Sequence, residues 1–179
     1  MRKLPGDMPE EQDVKRMIRV DHAGEYGAVR IYKGQLAVLK KGTKAHETVQ
    51  HMLGQEERHL EKFEQLIRER QVRPTLLQPV WHAAGFALGA TTAMLGEKAA
   101  FACTVAVESV IDEHYKSQRD SLSHKESILA DTIETFRKEE MEHHDTAIQN
   151  EAEQAPMYPV LSAAVKGASK LAIWLSTRI

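Results

Sequence analysis

Residues 49–66 read VQHMLGQEERHLEKFEQL. Apolar residues recur along this stretch in steps of three and four, at Val49, Met52, Phe63 and Leu66. Glu56 and His59 fall in the same register, which is typical of one face of an amphipathic helix. A carboxylate on a buried face is costly unless a cation or a proton donor compensates its charge. The stretch therefore predicts a helix whose core-facing side carries a charge-binding site.

The same pattern returns in residues 129–147, which read LADTIETFRKEEMEHHDTA and place Glu140 and His143 on the apolar face. Each Glu-x-x-His pair is preceded by a predicted helix with one Glu on its apolar face, Glu25 or Glu108. Glu25 precedes Glu108 by 83 residues, and Glu56 precedes Glu140 by 84. We therefore expect one helical hairpin used twice, and two such hairpins form a four-helix bundle.

The sequence as a whole is also rich in helix formers, and only 6% of its residues are aromatic. We expect six helices, over about 11–39, 44–70, 80–95, 98–122, 125–153 and 160–176. The predicted fold is all-α: a four-helix bundle built from two helical hairpins, with two additional apolar helices. We expect a flexible N-terminal segment over 1–13 and a single domain over 14–179.

The composition excludes several classes of function. The 179 residues include 24 Lys and Arg against 26 Asp and Glu, a formal net charge of −2, so we expect no nucleic-acid partner. A single cysteine, Cys103, excludes an internal disulfide and a cysteine-based zinc site. The first 13 residues, MRKLPGDMPEEQD, lack the apolar stretch of a secretory signal, so none is expected.

The repeated carboxylates and histidines form a candidate metal site. One Glu from each of two helices, with a Glu-x-x-His from each of the other two, is the ligand set of dinuclear carboxylate bundles. Four carboxylates balance two divalent cations, and oxygen and nitrogen donors without thiolate suit iron or manganese. The predicted metal ligands are Glu25, Glu56, His59, Glu108, Glu140 and His143.

Alternatives to this interpretation remain. Either Glu-x-x-His pair alone would more often belong to a solvated surface. Asp21 and Glu139 lie beside the predicted ligands, and each either orients a ligand histidine or forms a surface salt bridge.

Two apolar stretches lie outside the predicted bundle. Residues 74–96, PTLLQPVWHAAGFALGATTAMLG, contain no charged side chain, and residues 158–175 contain only Lys166 and Lys170. The first is long enough to span a bilayer, but Pro79 and His82 argue against a clean span. Packing on the bundle, dimerisation and contact with a membrane surface or a lipid substrate all remain open. Gly85 and Gly89 are spaced for close approach to another helix.

The sequence resembles the 5-demethoxyubiquinone hydroxylase family over about residues 14–179. The resemblance is carried by long blocks in the same order: IRVDHAGEYGAVRIYKGQLAVL (18–39), EERHLEKF (56–63), ACTVAVES (102–109) and FRKEEMEHHD (136–145). It implies a ferritin-like di-iron monooxygenase of ubiquinone biosynthesis. Such an enzyme hydroxylates the benzoquinone ring of a polyprenylated demethoxyubiquinone precursor, using O₂ and two reducing equivalents.

The resemblance also implies roles for individual residues. The six predicted ligands would hold two iron ions, and Glu56 and Glu140 would bridge them or switch coordination between them. His114 and Tyr115 match a pair near the family's substrate pocket and are the predicted catalytic residues. Gly24 and Gly27, which flank Glu25, either allow close helix packing or leave room for a flat quinone ring.

The partners and location follow from the same resemblance. We expect a polyprenyl quinone substrate, O₂, a membrane surface, a homo-oligomer and contacts with other ubiquinone-biosynthesis proteins. No Gly-x-Gly-x-x-Gly motif is present, so we expect no nucleotide-binding fold for NADH within the chain. Electrons would come directly through the quinone, or from NADH or another external reductant. The expected location is the cytoplasmic face of a bacterial inner membrane, or else the matrix face of the mitochondrial inner membrane.

Two other functions share parts of this pattern. A ferritin- or rubrerythrin-type protein that handles iron or peroxide would have the same metal site but would need no apolar surface. A non-enzymatic, membrane-associated scaffold would retain the bundle without bound iron.

Overall fold

The computed structural model describes residues 9–179, and every regular element in that range is helical. The six long helices are α1 (Glu10–Val38), α2 (Lys44–Glu69), α3 (Gln78–Met94), α4 (Glu97–Ser121), α5 (Ser127–Gln149) and α6 (Tyr158–Ser176). All six predicted helices are therefore present, and the predicted all-α fold is confirmed.

Two boundaries differ from the prediction. Helix α5 ends at Gln149 rather than near residue 153, because Glu151 adopts a left-handed backbone conformation with φ of 62°. A short 3₁₀ turn, Ala152–Gln154, follows it. Residues 1–8 of the predicted flexible segment lie outside the described residues. Residues 10–13 are helical, and three of the four are acidic, which suits the positive end of the α1 dipole.

The bundle consists of two helical hairpins, as predicted. Helix α1 packs against α2, and α4 packs against α5. The connection within each hairpin is short, so its two helices run antiparallel. The faces expected to be buried are buried, including Ile18 and Tyr32 on α1 and Met52 and Phe63 on α2.

Two apolar layers fill the bundle on either side of a polar layer. One contains Val29, Val49, Met52 and Phe101, and the other contains Ile18, Phe63, Leu129 and Ile133. Along each of the four bundle helices, the predicted metal-ligating residues fall between these two layers. The polar layer is therefore enclosed by closely packed side chains at both ends.

Helices α3 and α6 cover the side of the bundle formed by α1 and α4. Helix α3 contacts α1 backbone to backbone: a methyl group at Gly89 would overlap the Ile31 carbonyl oxygen, and one at Gly34 would overlap that of Phe86. The close approach predicted from Gly85 and Gly89 is therefore confirmed. The indole Nε1 of Trp81 donates to Ser176 Oγ at 2.9 Å and ties α3 to α6.

Among the described helices, none could cross a membrane.

Candidate metal centre

All six predicted ligands converge in the polar layer, and each is at most 3% exposed. Their donor atoms form two groups, each with all atoms within 4.8 Å of one another. The first group contains Glu25, Glu56, His59 and Glu140, and the second contains Glu56, Glu108, Glu140 and His143. Glu56 and Glu140 belong to both groups, so their carboxylates lie where they can bridge two cations.

Both histidines point Nδ1 into the cluster and Nε2 away from it. His59 Nδ1 lies 3.0 Å from Glu140 Oε1, and His143 Nδ1 lies 3.1 Å from Glu140 Oε2. On the outer side, His59 Nε2 contacts Glu139 Oε2 at 2.8 Å, and His143 Nε2 contacts Gln55 Oε1 at 3.1 Å. An imidazole that binds a metal usually donates its other N–H to such an acceptor, which fixes the ring and its tautomer.

Two tyrosines hold the unshared carboxylates. The Tyr32 hydroxyl on α1 donates to Glu108 on α4 at 2.9 Å, and the Tyr115 hydroxyl on α4 donates to Glu25 on α1. Each hairpin therefore orients the carboxylate of the other hairpin.

Several carboxylate oxygens in the cluster have no hydrogen-bond partner although they are buried. They are both oxygens of Glu56 and Glu108 Oε2, although His143 Nδ1 lies 3.1 Å from Glu56 Oε1. A buried carboxylate oxygen without a partner is strongly unfavourable unless a cation neutralises it. The donor set of four carboxylates and two imidazoles, with oxygens directed at one another, therefore fits two divalent cations.

Burial and mutual repulsion raise the pKa values of three of these carboxyls. Burial raises the pKa of Glu56 and of Glu108 well above 4.5, and repulsion from Glu140 adds to each shift. Burial also raises the pKa of Glu25, although the hydrogen bond with His59 opposes the shift. Without a cation, the cluster favours protonated carboxyls at these three positions.

Glu140 behaves in the opposite way. Burial would raise its pKa, but hydrogen bonds from His143 and His59 lower it to about 2. Burial likewise would lower the pKa of His59, but its hydrogen bonds to Glu140 and Glu25 raise it to about 12. The carboxylate of Glu140 is thus the anion that balances the two imidazole rings.

The predicted catalytic pair divides between the interior and the surface. Tyr115 is buried and contacts Glu25, whereas the His114 side chain is 20% exposed and its Nε2 lies 3.2 Å from Asp21 Oδ1. Asp21 also accepts a hydrogen bond from Gln118 Nε2 at 2.7 Å. Neither alternative left open for Asp21 is observed: Asp21 is buried, contacts neither histidine of the cluster and bonds His114 instead.

Sequence reasoning missed the roles of Tyr32 and Gln55 and left that of Glu139 open. The repeat contains the missing signal, because Tyr32 matches Tyr115 at the offset of 83 residues, and Gln55 matches Glu139 at the offset of 84.

An apolar cavity of about 260 Å³ lies between α1, α3, α4 and α6. Gly24 and Gly27 line it, next to Glu25 in the chain, and Val107 lines it next to Glu108. A methyl group at Gly24 would meet only Ile111 Cδ1, at 3.8 Å, and one at Gly27 would meet nothing within 4 Å. Close packing therefore does not require glycine at these two positions.

The tyrosine beside these glycines lies elsewhere. The Tyr26 hydroxyl contacts His82 Nδ1 at 2.6 Å near the exposed side of α3, and Tyr26 does not line the cavity. Tyr115 and His114 do not line this cavity either.

A sequence profile of the family described as ubiquinone biosynthesis protein COQ7 matches residues 12–176. The chain belongs to the COQ7 family. This membership confirms the resemblance found in the sequence, and the helical arrangement is the ferritin-like bundle expected of it.

Similar proteins within the COQ7 family come from bacteria, animals and yeast. A 3-demethoxyubiquinol 3-hydroxylase of Rhodospirillum rubrum is 56% identical over 177 residues, which cover 99% of this chain and 84% of the relative. The mitochondrial NADPH-dependent 3-demethoxyubiquinone 3-hydroxylase of Bos taurus is 51% identical over 170 residues, 93% of this chain and 78% of the relative.

The mitochondrial 5-demethoxyubiquinone hydroxylase of Saccharomyces cerevisiae is more distant. It is 40% identical over 180 aligned positions, 92% of this chain and 77% of the relative. All three relatives are hydroxylases by name.

Proposed function

We propose that this chain is a di-iron monooxygenase that hydroxylates the ring of a polyprenylated demethoxyubiquinone or demethoxyubiquinol in ubiquinone biosynthesis. The carrying observation is the buried cluster of four carboxylates and two imidazoles, whose unpartnered oxygens require cations. Membership of the COQ7 family, with relatives that are named as hydroxylases of these compounds, supports the choice of substrate.

Glu25, Glu56, His59, Glu108, Glu140 and His143 would hold two iron ions. The two groups share Glu56 and Glu140, so these would bridge, while Glu25 with His59 and Glu108 with His143 would each serve one ion. Mixed oxygen and nitrogen donors without thiolate suit iron in such bundles. When bound, the two ferrous ions would supply electrons and the activation of O₂.

The protein's own residues would keep this centre in one geometry and keep it dry. Tyr32 and Tyr115 hold the unshared carboxylates, and Glu139 and Gln55 hold the two imidazole rings. The apolar layers above and below exclude water, which would otherwise compete for the reactive centre. Tyr115, one of the two predicted catalytic residues, would act by holding Glu25.

The apolar cavity would receive the quinone ring. Its wall includes Gly24, Gly27 and Val107, which belong to the helical segments that carry Glu25 and Glu108. Ala84 on α3 and Ala168 on α6 line it and are exposed, so it opens between these helices. A flat ring bearing a polyprenyl chain could therefore occupy the cavity while the chain leaves between α3 and α6.

The reaction needs an external reductant. One oxygen atom of O₂ enters the ring and the other leaves as water, which consumes two electrons and two protons. The bovine relative is named NADPH-dependent, and we propose a nicotinamide nucleotide, NADH or NADPH, as the electron source.

Apolar side chains of α3, α6 and the segments that flank them would attach the protein to a membrane surface. Eight large ones are more than half exposed: Leu76, Val80, Met94, Leu95, Met157, Val160, Leu171 and Trp174. The Arg178 guanidinium lies over the Trp174 ring at 4.1 Å, a pairing suited to the boundary between lipid headgroups and acyl chains. We call these eight residues the α3/α6 surface.

This surface lies beside the opening of the cavity, so a substrate could enter without leaving the bilayer. We propose peripheral attachment to the cytoplasmic face of a bacterial inner membrane. The relatives from cattle and yeast are mitochondrial by name. The expected homo-oligomer and the contacts with other proteins of the pathway remain predictions.

Product analysis tests the proposed function. Purified protein loaded with ferrous iron would receive ¹⁸O₂, NADPH or NADH, and a short-chain demethoxyquinone. We expect a product that gains one labelled oxygen atom, and His143→Ala should abolish its formation and reduce the bound iron from two ions to one. Consumption of O₂ with ferric iron accumulation and no organic product would instead indicate the ferritin-type alternative.

Substitutions in the cavity test where the ring binds. Gly27→Leu should fill the space and raise the KM for quinone or abolish turnover, while iron content stays at that of the unchanged protein. Gly54→Leu is the matched control, because Gly54 lies on α2, where a methyl group would also meet nothing within 4 Å. Unchanged kinetics in Gly27→Leu would contradict this placement.

A further inference from the structure

The metal centre has an internal twofold symmetry that follows the sequence repeat. Glu25 and Tyr32 on α1 match Glu108 and Tyr115 on α4, and each tyrosine donates to the glutamate of the other hairpin. Each of the two groups of predicted ligands also contains one histidine, one unshared glutamate and the same two shared glutamates. By composition alone, the two cation positions are therefore equivalent.

The hydrogen bonds that reach the six ligands from outside the cluster break this symmetry at one place. The residue that precedes the Glu of each Glu-x-x-His pair contacts the histidine of the other pair. Glu139 on α5 contacts His59, and Gln55 on α2 contacts His143. One histidine thus faces a carboxylate, whereas its counterpart faces a neutral amide.

The direction of these hydrogen bonds follows from the geometry. In both rings Nδ1 faces the cluster, so Nδ1 is the nitrogen available to a cation and Nε2 carries the proton. His59 Nε2 therefore donates to Glu139 Oε2 at 2.8 Å, and His143 Nε2 donates to Gln55 Oε1 at 3.1 Å. The bond to the carboxylate is shorter and charge-assisted, and such bonds are about twice as strong as neutral ones.

The closest partner of the Glu139 carboxylate is the His59 ring rather than a cationic side chain. The Glu139 side chain is 29% exposed, and the nearest guanidinium nitrogen, Arg58 Nη2, is 3.9 Å away and mostly in solvent. His59 Nε2, at 2.8 Å, is the closer partner. A carboxylate on the far nitrogen makes an imidazole a stronger electron donor to a metal, so the two histidines differ as ligands although their positions in the repeat match.

We propose that Glu139 and Gln55 make the two cation positions inequivalent, so that the position of His59 and Glu25 binds a ferrous ion more tightly than that of His143 and Glu108. The inference rests on the proposed di-iron function. Glu139 and Gln55 are positioning residues, since each acts through a histidine. Outer hydrogen-bond partners of this kind typically change metal affinity about 10- to 100-fold.

Anaerobic calorimetric titration of the metal-free protein with ferrous iron tests this proposal. The unchanged chain should bind two ions in two resolved steps. Glu139→Gln should weaken the first step about tenfold or more. Gln55→Glu should strengthen the second step by a similar factor and leave the first unchanged. Glu142→Gln is the matched control: it removes the same charge from α5, one turn on, at an exposed residue with no hydrogen bond to His59 or His143.

Variants that retain only one of the two histidines show which cation position each substitution affects. In His143→Ala, which retains His59, Glu139→Gln should weaken ferrous binding and Gln55→Glu should not change it. In His59→Ala the effects should be reversed: Gln55→Glu strengthens binding, and Glu139→Gln has no effect. The double variant Gln55→Glu/Glu139→Gln in the intact site keeps the total charge and should restore two resolved steps, which a general loss of packing would not.

The outcomes of these titrations distinguish a failure of the inequivalence from a failure of the di-iron function. Two ions bound with the same constants in Glu139→Gln as in the unchanged chain would overturn the inequivalence alone. Equal weakening of both steps in Glu139→Gln would also overturn it, because the residue would then act on the bundle rather than on one position. A chain that binds no ferrous iron would overturn the di-iron function and this inference together.

Discussion

Glu140 and Glu56 hold matching places in the repeat, but their surroundings have opposite effects on their charge. Glu140 receives hydrogen bonds from both histidines, and its pKa is lowered to about 2. Glu56 accepts no hydrogen bond at either oxygen, although His143 Nδ1 lies 3.1 Å from Oε1, and burial raises its pKa well above 4.5. In the metal-free protein Glu140 therefore stabilises the fold at neutral pH, and ionised Glu56 destabilises it.

Neutral substitutions at the two residues should consequently differ in sign. Glu140→Gln should lower the free energy of unfolding of the metal-free protein at pH 7 by about 3–5 kcal/mol, because it leaves two imidazoles without their anion. Glu56→Gln should raise it by about 1 kcal/mol or more, since it removes a carboxyl whose pKa rises on folding. Urea unfolding in the presence of a chelator measures both, and a loss of stability in both variants would contradict the assigned roles.

The increase in the free energy of unfolding caused by Glu56→Gln should also depend on pH. A carboxyl whose pKa is raised by folding stabilises the folded state below the pKa that it has in the unfolded chain, here 4.5. That stabilisation is lost as the pH rises toward its pKa in the folded state. The advantage of Glu56→Gln should therefore grow as pH rises above 4.5. The contribution of Glu140 is present above 4.5 and is lost only as pH falls toward 2.

Metal uptake should release protons. His59, with its pKa raised to about 12, keeps the Nδ1 proton at neutral pH, and Glu56 and Glu108 have raised pKa values as well. A cation must displace these protons, so ferrous affinity should rise with pH. Titration calorimetry in two buffers with different ionisation enthalpies measures the number released. Identical apparent enthalpies in both buffers would contradict these protonation states.

At the scale of secondary-structure elements, the contact between α1 and α3 depends on missing side chains. Gly89→Ala should lower the free energy of unfolding by about 1–3 kcal/mol, because its methyl group would overlap the Ile31 carbonyl. Gly167→Ala is the control on exposed α6, where a methyl group meets nothing within 4 Å, and it should raise stability by about 0.5–1 kcal/mol. Thermal unfolding distinguishes the two, and equal effects would rule out tight α1–α3 packing.

The elements also show what the sequence predicted and what it did not. Apolar steps of three and four residues define a helix face, so they placed Glu25, Glu56 and Glu140 in the same buried layer. Periodicity does not define how far one helix is rotated or shifted against another. The contacts from Tyr32 to Glu108 and from Glu139 to His59 join residues 76 and 80 positions apart, so they required the assembled bundle.

Tyr26 illustrates the same limit of sequence reasoning. It lies next to Glu25 in the chain, but adjacent residues on a helix point about 100° apart. The side chain consequently meets His82 on α3 instead.

At the scale of the whole molecule, one side of the bundle is apolar and carries the opening of the cavity. Replacement of Leu171 and Trp174 by Asp should reduce binding to vesicles of phosphatidylethanolamine and phosphatidylglycerol at least about tenfold, since each large apolar side chain contributes about 1.5–3 kcal/mol when buried. Ile128→Asp is the control, because this residue is 79% exposed at the start of α5, away from the α3/α6 surface. Co-sedimentation measures the bound fraction, and equal binding by both variants would contradict docking through this surface.

The exchange of hydrogen bonds between the two hairpins also constrains how such a chain can evolve. Each hairpin supplies the groups that orient the other's carboxylate and imidazole, so neither half contains a complete site. A substitution of one of these groups in either half therefore disturbs a ligand of the other half. Among the four groups, only Gln55 and Glu139 differ between matching positions of the two halves, and both rings are still held.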